Sequence, residues 1–247
     1  MIARSIVSNK FIAFNDVANT PPLRYIEAMK ITFFGHAAIG VETLSGETLI
    51  FDPYRSGGFG GKMAYRPIEG EWDWVVITHN HDDHAAIDTL SGALKNDPGS
   101  LMEAFQCQIY PLSHDEYEGA RFGGEVGVRI LNIDGFRVCH LSDVGQAPPP
   151  EWFASLDHID VCFLPVGGFF TIGPLQGLEW YRALSPTILI PIHYKTDSVD
   201  LPLEPVEHFL SYFPPDMIHT SSDLEILDTQ DLENHQGIVV LDVKNKK

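Results

Sequence analysis

The chain holds 247 residues, 44% of them hydrophobic, with 34 acidic against 16 basic side chains and a formal net charge of −18. That length and apolar content suit one large domain, or two closely packed halves, around a sizeable core. The negative balance, with no basic patch in view, argues against nucleic acid and anionic membranes as partners, whereas bound divalent cations would reverse the field locally and admit an anionic substrate.

Residues 1–28 carry no strong periodicity and are broken by Thr20-Pro21-Pro22. They read as an N-terminal extension or an arm onto a partner, with Met29 as an alternative natural start, and residues 29–247 read as a single domain. The opening stretch has no apolar core of signal-peptide type and contains Asp16 and Glu27. No apolar run is long enough to span a membrane. Cys107, Cys139 and Cys162 form no C-x-x-C pair and read as buried free thiols, which suits a reducing compartment, so the expectation is a cytoplasmic protein.

From Ile31 the pattern becomes regular. Segments 31–34, 39–43 and 48–51 predict three short strands, the last two joined through Ser45-Gly46-Glu47 as a hairpin. Asp52-Pro53 closes the third. The Gly-rich loop 56–61 lacks the Lys-Ser/Thr ending of a phosphate cradle and reads as a flexible rim. Segment 74–78 predicts a buried strand and 84–95 a helix. Further strands are predicted over 106–112, 126–133 and 136–141, with a tight turn at 132–135, then over 161–165, 187–192 and 237–243. Helices are predicted over 176–184 and 205–212. Strand-rich halves with interspersed helices make a layered α/β protein, sheet packed on sheet with helices outside.

The strand 74–78 runs straight into His79-Asn80-His81-Asp82-Asp83-His84. Imidazole and carboxylate are the usual ligands of zinc, iron and manganese. His79 and His81 lie two positions apart and face one side of an extended segment; they need a third partner to hold a metal. Asp83 and His84 fall where the chain turns into the next element, and need partners for a second. Those partners must be His or Asp at the ends of later strands, because strand ends can converge on one edge of a sandwich. His114, Asp143 and His193 each follow an apolar strand. Singly each reads more readily as a surface or loop residue; the repeated device of an apolar strand ending in a ligand-capable side chain is what raises them.

These pieces resemble the metallo-β-lactamase superfamily, and within it the stand-alone metal-dependent hydrolase branch related to the ascorbate-phosphate lactonases. Phe34-Gly35-His36-Ala37, Phe51-Asp52-Pro53, Thr78 through His84, Ser113-His114-Asp115, His140-Leu141-Ser142-Asp143, Leu164-Pro165-Val166-Gly167-Gly168 and Pro191-Ile192-His193-Tyr194 occur in the family's order. The resemblance implies an αββα sandwich of two mixed sheets covered by helices, with two metals in a cleft at one sheet edge. Carried over by position, His79, His81 and His114 would hold one metal, Asp83, His84 and His193 the other, and Asp143 would bridge both. Ser142 departs from the pattern, since relatives usually carry Gly there, which leaves the backbone less freedom. The N-terminal extension has no counterpart. In the lactonase-like branch His36 lies near the site; it is a catalytic candidate as substrate contact or proton shuttle, beside a structural reading. Asp52 is suited to accept from a ligand imidazole, and His140 to support Asp143 or simply to pack.

The expected function is that of a dinuclear metal-dependent hydrolase. Two ions about 3.5–4 Å apart would share a bridging hydroxide that attacks a small ester, lactone or phosphodiester, with Asp83 orienting the nucleophile. Zinc suits a His-dominated set best; manganese and iron are compatible. The alternatives are an iron-dependent redox enzyme of dioxygenase or diiron type at the same centre, and a metal-binding protein without turnover. The partner is a small molecule. Arg55, Lys62 and Arg66 could meet an anion, Phe59, Trp72 and Phe169 an apolar group; the substrate and any homo-oligomeric state stay open.

Overall fold

Strand-forming runs dominate both halves of the chain. The computed structural model describes residues 28–114, 124–153 and 156–247; residues 1–27 of the expected extension, and Asp115 of the Ser113-His114-Asp115 motif, lie outside them. The first half supplies β1 (Met29–Gly35), β2 (Ala38–Glu42), β3 (Thr48–Phe51), β4 (Glu71–Val76) and β5 (Ser91–Lys95). The second supplies β6 (Gln108–Ser113), β7 (Glu125–Ile133), β8 (Phe136–His140), β9 (Val161–Pro165), β10 (Ile188–Ile192), β11 (Ile218–Ser221), β12 (Leu224–Ile226) and β13 (Gly237–Leu241). The helices are α1 (Pro98–Phe105), α2 (Pro150–Phe153), α3 (Pro174–Leu184), α4 (Val206–Leu210) and α5 (Thr229–Asn234).

Two mixed sheets result, ordered β12-β1-β2-β3-β4-β5 and β11-β13-β10-β9-β8-β7-β6. They pack face to face as the expected αββα sandwich. Phe51 of β3 meets Phe163 of β9 across the interface, ring centroids 6.1 Å apart. The central parallel strands β9 and β10 are buried at every residue. This is why their sequences are unbroken apolar runs rather than alternating ones.

Strand direction explains where the site lies. In the first sheet β1 and β2, then β2 and β3, are antiparallel, and β3 and β4 are parallel, so β1, β3 and β4 point the same way. In the second, β6 and β7, then β7 and β8, are antiparallel, and β8, β9 and β10 are parallel, so β6, β8, β9 and β10 point the same way. The residues that follow these strands therefore gather at one edge of each sheet: His36 after β1, Asp52 after β3, the His79–His84 run after β4, His114 after β6, Asp143 after β8 and His193 after β10.

The predicted helix over 84–95 is not formed. In its place are a single 3-10 turn, Ile87–Thr89, and the exposed edge strand β5. Gly92 has φ +116, and a Cβ there would lie 2.2 Å from the Trp72 carbonyl oxygen, so β5 is pressed against β4 as only glycine allows. The helix in this region is α1, one turn later. Asp97 caps it by accepting from Ser100 N at 2.8 Å, with Pro98 in the first turn. Phe105 of α1 meets Trp74 edge-on at 5.1 Å. The helix predicted over 205–212 is shorter, Val206–Leu210, and packs against α3, whose Gly177 lies under Phe209. α2, α5, β11 and β12 were not foreseen. No helix among the described residues is long and apolar enough to cross a membrane.

Candidate metal centre

The strand-end side chains meet. The ligand atoms of His79, His81 and His114 lie within 4.8 Å of one another, and so do those of His36, Asp83, His84 and His193. Asp143 sits between the two groups. Its Oδ2 is 3.1 Å from His84 Nε2, 3.5 Å from His114 Nε2, 3.7 Å from His193 Nε2 and 3.8 Å from His79 Nε2. One carboxylate oxygen thus faces four imidazole nitrogens, two from strand ends of the second sheet (His114, His193) and two from the loop after β4 of the first (His79, His84).

The donor set suits a cation. His84 Nε2, both ring nitrogens of His193 and Asp143 Oδ1 are buried without a hydrogen-bond partner among the described residues. An unmade hydrogen bond on a buried polar atom costs about 1–3 kcal/mol, so several converging on one point call for a ligand that satisfies them together. Imidazole nitrogen with carboxylate oxygen accommodates zinc, manganese or iron.

Behind this layer Asp52 acts as a hub. Thr78 N donates to its Oδ1 at 2.9 Å, while Thr78 Oγ1 and Ser142 Oγ donate to Oδ2 at 2.7 and 3.2 Å. His84 Nδ1 is 3.0 Å from the same Oδ2. A carboxylate only accepts, so the proton of His84 sits on Nδ1 and Nε2 is turned toward Asp143. The Ser142 hydroxyl also reaches the Thr78 hydroxyl and, at 3.3 Å, His79 Nδ1. Ser142 is left-handed, φ 52, the conformation that its replacement of glycine put in question. His140 is fully buried; Nε2 donates to Ala37 O at 3.1 Å and Nδ1 accepts from Ser142 N at 3.1 Å. It ties β8 to the β1–β2 turn and sets the chain entering Asp143.

His36 is fully buried behind Asp83, with its Nε2 3.0 Å from Asp83 Oδ2. It faces the carboxylate rather than the cleft, so it reaches a substrate only through Asp83. Its carbonyl accepts from His193 N at 2.7 Å, linking the two sheets at the site.

The charges fit this layout. Burial drives Asp143 upward, but His84 and His193 outweigh it and hold the carboxyl well below the usual range. Burial likewise raises Asp83 and Asp52; the His84 and His36 imidazoles hold Asp83 low, and the His84 hydrogen bond brings Asp52 down to about 2. Burial disfavours charge on His84, yet Asp143 and Asp83 push it well above its ordinary value. Burial, then the neighbouring imidazole of His84, lowers His79 to about 4; burial and His36 lower His193 to about 3. At neutral pH the three carboxylates are ionised and His79 and His193 carry free lone pairs, while His84, held charged by Asp143 and Asp83, gives up its Nε2 proton when a cation binds.

A cleft of about 360 Å³ opens over His81, Asp83, His114 and Asp143, with Phe59, Phe170, Asn80 and Asp82 completing its wall. Phe59 comes from the Gly-rich loop, which is the rim expected of it. Trp72, expected near a substrate, instead packs edge-on against Phe34 on the first sheet, 5.6 Å between centroids. Arg55 is held by Asp88 at 2.6 Å, and neither Lys62 nor Arg66 lines the cleft. Tyr194 packs on Phe33 rather than facing the centre. The Asp52–Thr78–Ser142 network is what the sequence showed least: Thr78 precedes the His run, but nothing in its spacing marks it as a donor.

The family model described as a beta-lactamase superfamily domain matches residues 30–193. A UPF0173 metal-dependent hydrolase of Carboxydothermus hydrogenoformans is 30% identical over 200 residues, 68% of this chain and 85% of the relative. One of Methanopyrus kandleri is 26% identical over 240 residues, 84% of this chain and 100% of the relative. A crystal structure from Thermotoga maritima, assigned to the metallo-β-lactamase superfamily, superposes with a TM-score of 0.64 at 29% identity, covering 86% of this chain and 98% of that one.

Proposed function

This chain belongs to the beta-lactamase superfamily as a stand-alone metal-dependent hydrolase, and from that premise we propose that it is a dinuclear enzyme cleaving a small ester, lactone or phosphodiester. His79, His81 and His114 would hold one ion, Asp83, His84 and His193 the other, and Asp143 would be shared. The observation that carries this reading is the position of Asp143 Oδ2, 3.1–3.8 Å from four imidazole nitrogens; a mononuclear site of three or four ligands has no use for a carboxylate so placed. Ions bound there would supply an activated water as nucleophile and polarise the scissile carbonyl or phosphoryl oxygen.

The chain's own residues do the positioning. Asp83 lines the cleft with its Oδ2 anchored by His36, so the carboxylate is fixed to orient the attacking water. Asp52 holds the His84 tautomer, and Ser142 and Thr78 brace His79. Zinc is the ion this His-rich set favours.

The test is metal content by elemental analysis together with a panel of lactones, phosphodiesters and thioesters on metal-loaded protein, with His114→Ala as the blank. Two ions per chain and hydrolysis lost in His81→Ala are expected. Less than one ion per chain, or His81→Ala turning over at the parent rate, refutes the reading. Iron with a visible absorption band and no hydrolysis would favour the redox alternative.

A further inference from the structure

The wall of the cleft carries information that the metal ligands do not. Away from those ligands its described side chains are Phe59, Phe170, Asn80 and Asp82. Two are aromatic, one is a neutral amide and one is an acid; no Lys or Arg lines the cleft among the described residues. Arg55, a candidate cation for an anionic substrate, is already paired with Asp88 at 2.6 Å.

Phe59 is the unusual member. It sits 47% exposed at the tip of the Gly-rich loop with φ 53, left-handed backbone that a phenylalanine rarely adopts. Phe169 and Phe170, on the loop after β9, meet edge-on at 4.5 Å, and Phe169 too is left-handed, φ 63. A large apolar ring held in water on strained backbone gains free energy only when something flat and apolar covers it. Among the described residues no side-chain cation lines this wall, so a phosphodiester would bring a permanent negative charge beside Asp82 that only ions at the centre would meet.

Resting on the hydrolase reading above, we propose that the cleft takes an uncharged acyl substrate, an ester or lactone, bearing an aromatic or flat apolar group that seats against Phe59 and Phe170, and that Asp82 disfavours anionic substrates. Asn80, the neutral polar group on the same wall, is suited to a hydrogen bond with the ester or lactone oxygens.

The test uses full-length, metal-loaded protein and three probes: acetohydroxamate, benzohydroxamate and 4-carboxybenzohydroxamate. All chelate through the same group and differ only in the ring and its charge. Calorimetric Kd values should rank benzohydroxamate roughly tenfold tighter than acetohydroxamate, the scale of one covered aromatic ring. The carboxylated probe should bind more weakly than benzohydroxamate. Phe59→Ala should bring the benzo/aceto ratio toward one, and Asp82→Asn should recover the carboxylated probe. Phe59 is on an exposed loop, so its replacement leaves the core intact; Phe170→Ala is the second variant. In turnover, a phenyl ester should exceed an aryl phosphodiester in kcat/KM. Equal affinity for the benzo and aceto probes, a benzo/aceto ratio unmoved by Phe59→Ala, or preference for the carboxylated probe or the phosphodiester, overturns the proposal and leaves the metal centre standing. Failure of every hydroxamate to bind overturns both.

Discussion

Replacing Asp52 by asparagine tests the layer that holds the ligands. The carboxylate takes four hydrogen bonds at 2.7–3.2 Å, from Thr78 N, Thr78 Oγ1, Ser142 Oγ and His84 Nδ1. An amide is nearly isosteric. Its oxygen can keep the Thr78 N bond, and its NH₂ can donate to the Thr78 and Ser142 hydroxyls. What it cannot do at that position is accept from His84 Nδ1–H. Either that charge-assisted bond is lost, or His84 switches tautomer, accepts at Nδ1 and turns a protonated Nε2 toward Asp143. The first costs about 1.5–3 kcal/mol. The second removes one ligand lone pair and matches the 10–100-fold loss of metal affinity typical when a ligand's orienting partner is removed, or about 1.4–2.7 kcal/mol. Two routes therefore arrive at the same size of effect. Apo-protein should be titrated with zinc against a competing chelator, alongside apo and loaded melting curves. Expected are a 10–100-fold weaker Kd and an apo melting temperature lower by several degrees. Thr78→Val removes a donor but spares the Asp52–His84 bond, so it should lose less metal affinity. Zinc affinity within twofold of the parent in Asp52→Asn would refute the assignment of Asp52 as the orienting acceptor.

Substitutions at three further positions probe the frame. Ser142→Ala deletes the hydroxyl from Thr78, Asp52 and His79 but keeps a left-handed φ of 52, whereas Ser142→Gly deletes it and relieves about 1 kcal/mol of strain; the glycine variant should melt roughly 2–4 °C above the alanine variant, and the opposite order would show that the backbone there is relaxed. At Gly167 an added Cβ would fall 2.1 Å from His193 O and 2.9 Å from Tyr194 Cα, so Gly167→Ala should cost about 1–3 kcal/mol or more and weaken metal binding, by chemical denaturation and zinc titration; unchanged values would mean that the β9 and β10 loops part easily. Ser185 ends α3 in left-handed geometry, φ 44, with its N–H on Tyr181 O; Ser185→Gly should add about 1 kcal/mol of stability without altering metal affinity, and a loss of stability would place other demands on that turn.

The run from His79 to His84 was legible because ligand chemistry is written in residue type, and the strand-end positions of His114, Asp143 and His193 because each follows an apolar run of strand length. Direction completed the site: with β1, β3, β4, β6, β8, β9 and β10 all pointing to one edge, whatever follows those strands must converge. The segment 84–95 misled for a physical reason. Ala85, Ala86, Ile87, Leu90, Ala93 and Leu94 have a spacing that suits a helix, but the pairing of β5 with β4 is a long-range contact with no local signature. The cue for α1 was present in Asp97-Pro98, a cap followed by a first-turn proline. Roles that depend on a hydroxyl, as at Thr78 and Ser142, leave no periodic trace; Ser142 showed only as a departure from glycine. Trp72 was misplaced because an aromatic residue near the His run in sequence lies on the opposite side of its own sheet.

The backbone gives an independent reason to see the strand ends as one device. Among the described residues ten non-glycine positions have φ in the left-handed region. Gln106 and Ser185 end helices and Asp134 sits in the β7–β8 turn, ordinary uses of that conformation. His36, Asp52, Ser142 and His193, by contrast, come at the ends of β1, β3, β8 and β10, with φ of 55, 41, 52 and 52. Neither histidine nor serine is chosen for local ease there; each costs on the order of 1–2 kcal/mol. A left-handed residue at or just past a strand end swings the chain out of the pleat, so its own side chain or the next one points across the sheet edge rather than along it. In each case that swing places a group on the centre: His36 on Asp83, Asp52 on His84, Asp143 beyond Ser142, and His193 beside Asp143. A stability-driven fold would relax these corners with glycine or asparagine. Their presence, on four strands from two sheets, fits a chain that accepts strain to hold its ligands in place before any ion arrives.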